Sequence, residues 1–364
     1  METGGVRTVG EPRGGSGGPV GPAGPGKTVP SATARGRAAS RQAQAVLRRF
    51  GAVGALVVLL IVAEFLNSNF LTPDNIRAQL QIFCLNTALI AVGETLVILT
   101  GGIDLSVGSL LAVGSCLAGV LIGDGTAPSA PIVLVFLLPI VLTTALGGVS
   151  GTIIAKTRVQ PIVVTLAMLI AARGLAQLIT GAGGRGHTIN LGNTTFNGLA
   201  ITPLGPLPLI GPIPISVVLV LIVFALAALF LARTAPGRYV FAIGGNERAV
   251  RLSGVATDRV KIAVYAVSGL LAGLAGVLFA SYNSTSDPFQ DGLYFELQAI
   301  SAVVVGGTSL LGGVGGVWRT LIGGLILTAL NAIIVQVGLQ RPAQLIVQGL
   351  IIAGAVILQG GGES

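Results

Sequence analysis

ISVVLVLIVFALAALFLA, residues 215–232, holds one polar side chain, Ser216, and no charge. Wound as an α-helix it rises about 1.5 Å per residue, roughly the hydrocarbon thickness of a bilayer. Such a run reads as a transmembrane helix, and the rest of the chain repeats it. Of 364 residues, 52% are hydrophobic and 9% charged, with mean hydropathy +0.88. A soluble domain carries about 25% charge, so the chain reads as an all-α polytopic membrane protein. Apolar windows near 51–66, 80–100, 105–122, 131–155, 161–180, 215–232, 261–281, 295–311, 318–338 and 343–358 predict about ten spans. Glycines interrupt the pattern at 100–105 and 311–318, where the flanking windows read equally as one broken element each.

This pattern predicts a basic Gly/Pro-rich tail at 1–49, a transmembrane domain at 50–358 and a short C-terminal tail at 359–364. No signal peptide is expected, because the first apolar run follows a long basic tail. Basic residues set orientation through the excess of Lys and Arg in cytoplasmic loops. With the N-terminus inside, the tail holds eight, 156–158 two, 233–261 six and Arg319 one, together 17 of 21. Arg77, Arg185, Arg341 and Arg173 fall toward the other side with Asp74, Asp124, Asp287 and Asp291. Both termini are thus expected in the cytoplasm. The net charge of +8 needs no nucleic acid, since basic loops facing an anionic leaflet give the same balance.

The tail contains GPAGPGKT, residues 21–28, which fits the phosphate-binding pattern G-x-x-x-x-G-K-[ST]. That loop works between a strand and a helix, which hold its backbone N–H groups against phosphate. Here EPRGGSGGPV leads in and VPSATARGRAAS leads out, so nucleotide binding by this chain is not expected. Cys84 and Cys116 lie in predicted spans, and the one histidine is His187. Metal and disulfide roles are not expected. Glu94, Asp104 and Arg173 stand apart in sequence and do not suggest a converging catalytic set, so the chain reads as no enzyme.

Three stretches carry more than hydrophobicity. TGGIDLSVGSLLAVG, 100–114, places Asp104 and Ser106 in an apolar pattern. A carboxylate there is costly unless it meets a cavity or polar partner; Asp104 either caps the next helix, with Ser106 assisting, or lines a pathway. GGTSLLGGVGG, 306–316, resembles it in paired glycines and in the polar residues Thr308 and Ser309, which join Asp104 and Ser106 as candidate pathway residues. The 205-residue separation of the two breaks permits a duplicated core, spans 2–5 and 7–10. Between them, GRYVFAIGGNERAVRLSGVATDRVK, 237–261, is the longest polar stretch after the tail. Gly245 or Asn246 can cap a short helix over ERAVRLS, with Glu247 in its first turn and Gly254 at its end. So short a helix persists only when packed, which points to a partner protein; the other reading is an amphipathic linker on lipid headgroups.

GGIDLSVGS (101–109), GGNERAVRLSGV (244–255) and AGLAGVLFA (272–280), followed by DP and ELQAISAVVVGGTSLLGG, resemble the permease subunit of ribose-type ATP-binding-cassette sugar importers, in the same order. The resemblance spans about 50–358. It implies a type II importer fold in the bacterial plasma (inner) membrane and transport of a monosaccharide such as ribose, xylose or a galactose-like sugar. It also implies a second permease copy, identical or related, an external solute-binding protein, and two ATPase subunits that carry ATP and magnesium. By the same match Gly245, Asn246, Glu247, Arg248, Ala249, Arg251, Ser253 and Gly254 form the ATPase-coupling helix. Arg319 departs from the pattern, where Gly is expected, and puts the packing of span 9 in question. The rival reading is an ion-coupled secondary transporter, which needs paired carboxylates or discontinuous helices at membrane depth.

Overall fold

The computed structural model describes residues 51–124, 130–181, 188–207, 211–338 and 340–360. The tail, including Lys27 of the phosphate-loop pattern, lies outside them, as do Arg185, His187 and residues 361–364.

The architecture is helical. α1 (Gly51–Leu66) is followed by α2 (Pro73–Leu99), which starts on Pro73 and contains a π-helical turn at Cys84–Ala88. α3 (Val107–Ile122) leads to α4 (Ile132–Thr157), which ends on left-handed Arg158 at φ 58°, and to α5 (Pro161–Ile179). A short strand β1 (Ile189–Asn190) precedes α6 (Thr194–Leu199), and a hairpin of β2 (Pro203–Leu207) and β3 (Gly211–Pro214) leads into α7 (Ile215–Arg233). α8 (Ala235–Leu252) and α9 (Thr257–Asn283) follow; β4 (Thr285–Ser286) then pairs antiparallel with β1. The chain closes with α10 (Phe295–Val305), α11 (Val317–Gln336) and α12 (Arg341–Gly360).

Among the described residues, six helices are long and apolar enough to cross a membrane: α2, α4, α5, α7, α9 and α11. α1, α3 and α10 are apolar but shorter. Three windows shift against the sequence expectation. α2 begins seven residues before position 80, because its first turns carry Asp74 and Arg77, paired at 2.6 Å, and polar side chains hide a helix from a hydropathy window. α9 likewise starts early, at Thr257. α10 stops at Val305, so its eleven residues rise only about 16 Å and reach part of the way across.

Every residue of Leu89–Leu99 is buried, which makes the second half of α2 the centre of the bundle. α9 passes beside it, held closely by small residues. Gly147 of α4 faces Gly269, and Gly114 of α3 faces Gly273, so backbones touch where side chains elsewhere would intervene. Without a hydrophobic force between helices in lipid, such close backbone packing supplies much of the attraction. Both cysteines are buried and free.

Candidate functional site

The first break, residues 100–106, separates α2 from α3. Gly101, at φ +79°, turns the chain in a left-handed conformation open to glycine without strain. Asp104 then points into the bundle and is fully buried. Its Oδ1 accepts the Ser106 N–H at 3.0 Å and the Ser106 hydroxyl at 2.6 Å, while Oδ2 accepts the Ser268 hydroxyl of α9 at 2.9 Å. Ser106 is the residue immediately before α3, so the carboxylate secures the start of that helix and ties it to α9.

Asp104 is not alone, as its isolation in sequence suggested. Its backbone N–H donates to Glu94 Oε1 at 3.1 Å, and Glu94 is also fully buried. The partners of this carboxyl pair among the described residues are backbone N–H groups and serine hydroxyls, all neutral. Glu94 Oε2 and the Tyr265 hydroxyl are buried without a hydrogen-bond partner among the described residues. Chain distance kept this cluster out of reach of a motif search.

The second break, residues 306–316, is stitched by its own polar groups. Buried Thr308 accepts the Gly316 N–H at 3.3 Å, and half-buried Ser309 accepts the Leu311 N–H at 3.3 Å. Arg319 donates to the Gly307 carbonyl at 3.1 Å, so the departure from the expected glycine adds a tie across the break. The two breaks also meet. The Gly313 N–H donates to the Leu99 carbonyl at 3.0 Å, and above them the Thr95 and Thr320 hydroxyls share a 2.7 Å hydrogen bond.

Arg173, the third ionisable residue singled out in the sequence, donates to the carbonyls of Asp291 at 2.7 Å and Pro288 at 3.1 Å. The Asp291 carboxylate accepts the Ser115 hydroxyl at 2.6 Å. This group closes the loop before α10 rather than joining Asp104.

At the other end of the polar system, α8 consists of two arms. Thr234 accepts the Gly237 N–H at 3.0 Å and starts the first; Asn246, extended at φ −162°, breaks the helix. Asn246 Oδ1 accepts the Ala249 N–H at 3.0 Å and caps the second arm, while Gly254, at φ +86°, ends it. Of the two capping residues the sequence allowed, the structure uses Asn246.

Glu247 and Arg251 face inward along this arm. Glu247 binds Lys261 of α9 at 2.5 Å and Arg251 at 3.1 Å; Arg251 also binds Asp258 at 2.7 Å. Burial works against the Glu247 carboxylate, yet hydrogen bonds and charge from Lys261, then Arg251, prevail and hold its pKa below the usual range. The salt bridges therefore fasten the arm to α9. What remains outward is Arg248, Ala249, Leu252, Ser253 and Gly254, with Leu252 83% exposed. Sequence reading missed Leu252, Lys261 and Asp258; an apolar residue within a polar segment was the available signal for the first.

Interrupted helices survive at membrane depth only where protein buries them or water reaches them, and here both interruptions are packed against each other beside a fastened surface helix. That arrangement suits a transport permease. The chain belongs to the family described as branched-chain amino acid transport system / permease component, whose model matches residues 78–356. It is 41% identical over 303 residues to the ribose import permease protein RbsC of Haemophilus influenzae, covering 83% of this chain and 90% of the relative. Similarity to the Bacillus subtilis protein of the same name is 39% over 319 residues, 86% and 93% of the two chains. The galactofuranose transporter permease YtfT of Escherichia coli is 36% identical over 278 residues, 75% and 76%. No solved structure matches the chain. The protein is therefore a multi-pass inner-membrane permease subunit of an ATP-binding-cassette importer, working with separate ATPase and solute-binding subunits, and not an enzyme.

Proposed function

We propose that the chain translocates a monosaccharide, delivered by the solute-binding protein, into the cytoplasm by alternating access. The observation that carries this reading is the second arm of α8. It is capped by Asn246, fastened to α9 through Glu247 and Lys261, and presents Arg248, Ala249 and Leu252 outward. A rigid short helix with an arginine and an exposed leucine fits a groove on a partner, and residues 245–254 are assigned to docking the ATPase. ATP and magnesium reside on that partner; closure of its dimer drives the switch between states. The 17 basic residues on one side orient both termini and this arm to the cytoplasm. Asp104 and Ser106, with Thr308 and Ser309, shape the pathway by fixing the ends of the interrupted helices. A second permease copy completes the transmembrane part. The names of the relatives favour a pentose or hexose over the amino acids in the family description.

The test is reconstitution of the permease with its ATPase and solute-binding partners, followed by uptake of labelled ribose, galactose and leucine with ATP on the ATPase side. Uptake of a sugar that requires both partners is expected. Uptake that needs neither and collapses with an ionophore establishes the ion-coupled rival, for which the paired Glu94 and Asp104 give more ground than the sequence did. Uptake of leucine alone overturns the sugar assignment.

A further inference from the structure

The end of the first arm of α8 sits in a crevice between the two breaks. A methyl group on Gly244 would overlap the Leu99 carbonyl oxygen and the Gly313 nitrogen, and would come to 3.0 Å of the Gly312 carbonyl carbon. On the facing side, a methyl on Gly312 would stand 2.8 Å from the Gly101 nitrogen and 3.0 Å from Gly244 Cα. Three chain segments thus meet backbone to backbone: the end of α2 with the first break, the second break, and the residue two before the Asn246 cap. The Gly313 N–H to Leu99 carbonyl bond closes this junction. Side chains absorb displacement by changing rotamer, whereas a backbone contact without side chains transmits it directly.

We propose that Gly244 is a positioning residue through which movement of the docking arm reaches both interrupted helices at once. The proposal rests on the reading of residues 245–254 as the ATPase-docking element. Pushing on the arm displaces Gly244 against Leu99 and Gly313 together, so α2–α3 and α10–α11 shift as a pair. A single protomer therefore has one mechanical input for both breaks.

The experiment uses the reconstituted complex and follows ATPase copurification, ATP turnover and sugar taken up per ATP. Gly244→Ala is expected to keep ATPase association, because residues 246–254 are untouched, and to lower sugar per ATP about tenfold or more, a loss of about 1.4 kcal/mol of linkage. Gly174→Ala, whose added methyl meets nothing within 4 Å, is the control and should behave as wild type. Sugar per ATP within about twofold of wild type in Gly244→Ala overturns the proposal. Ala249→Trp separates this from the docking reading: if it leaves association intact, the docking reading fails whatever Gly244→Ala does. Should Gly244→Ala not fold, nitroxide labels at Leu311→Cys and Ser253→Cys in the otherwise native chain decide. Their separation should change by less than about 2 Å between nucleotide-free and ATP-bound states if the junction moves as one body, and a larger change overturns it.

Discussion

The backbone N–H of Asp104 is bonded to the side chain of Glu94 at 3.1 Å, ten residues away in sequence and across the first break. This bond makes the end of α2 and the start of α3 a single polar unit inside an apolar bundle. A fully ionised carboxyl pair at this depth, with neutral partners only, is costly. Glu94→Gln is accordingly expected to be tolerated, since the amide oxygen still accepts the Asp104 N–H. Glu94→Leu orphans that N–H and should lower stability by about 1–3 kcal/mol, read as a fall in the melting temperature of the detergent-purified protein. A folded Gln variant without transport would show that the charge itself is used.

Asp104 accepts three hydrogen bonds, two from Ser106 and one from Ser268. An asparagine oxygen keeps the Ser106 bonds, and the Ser268 hydroxyl can rotate to accept from the amide. Asp104→Asn should therefore retain much of the uptake, while Asp104→Leu leaves all three donors unmatched and should lose both folding yield and uptake. Well-folded, complex-forming Asp104→Asn without uptake moves Asp104 from cap to pathway.

On the outward face of the docking arm, Ala249→Trp should obstruct the ATPase by bulk. Leu252→Ser should weaken association by removing an exposed apolar contact, with an effect of about 1–2 kcal/mol if Leu252 is buried at the interface. Neither change should shift the melting temperature of the isolated permease. Wild-type copurification of both variants refutes the assignment of residues 245–254.

The Glu247 and Lys261 pair should behave as a fastening, not a docking contact. A double-mutant cycle with Glu247→Gln and Lys261→Met is expected to give about 0.5–1 kcal/mol of pair energy near neutral pH, modest because the pair is partly exposed. The Glu247 pKa is held below its unfolded value, so this contribution is present above the ordinary Glu range and disappears as pH falls through the lowered value. A pair energy that instead vanishes between pH 6 and 8 would contradict the assignment of the titrating group; these bounds span roughly the range where carboxylates of this kind stay ionised.

Lys27 belongs to a phosphate-loop pattern whose flanking sequences, EPRGGSGGPV and VPSATARGRAAS, do not read as the strand and helix that such a loop requires. Lys27→Ala should leave ATP-dependent uptake unchanged. Nucleotide binding by the purified chain that is lost in this variant overturns the placement of ATP on the partner.

Hydrophobic runs are local, and so is the capacity of Asn246, Gly254 and Pro73 to start or stop a helix. The sequence by itself therefore determined the membrane class, the approximate spans, the two glycine breaks and the short capped helix over ERAVRLS. Tertiary structure decided what these pieces do to one another. Glu247 and Arg251, assigned in the sequence to the ATPase-coupling helix, turn toward α9 because Lys261 and Asp258 approach only after α9 folds back. Glu94 and Asp104 become partners only once the break reverses the chain. Gly244, one more small residue in a glycine-rich sequence, acquires a role only where the Leu99 and Gly313 backbones close on it. Period and composition report on a residue's own neighbourhood along the chain, whereas close backbone contacts and charge pairs depend on segments up to some two hundred residues apart, as with Gly101 and Gly312.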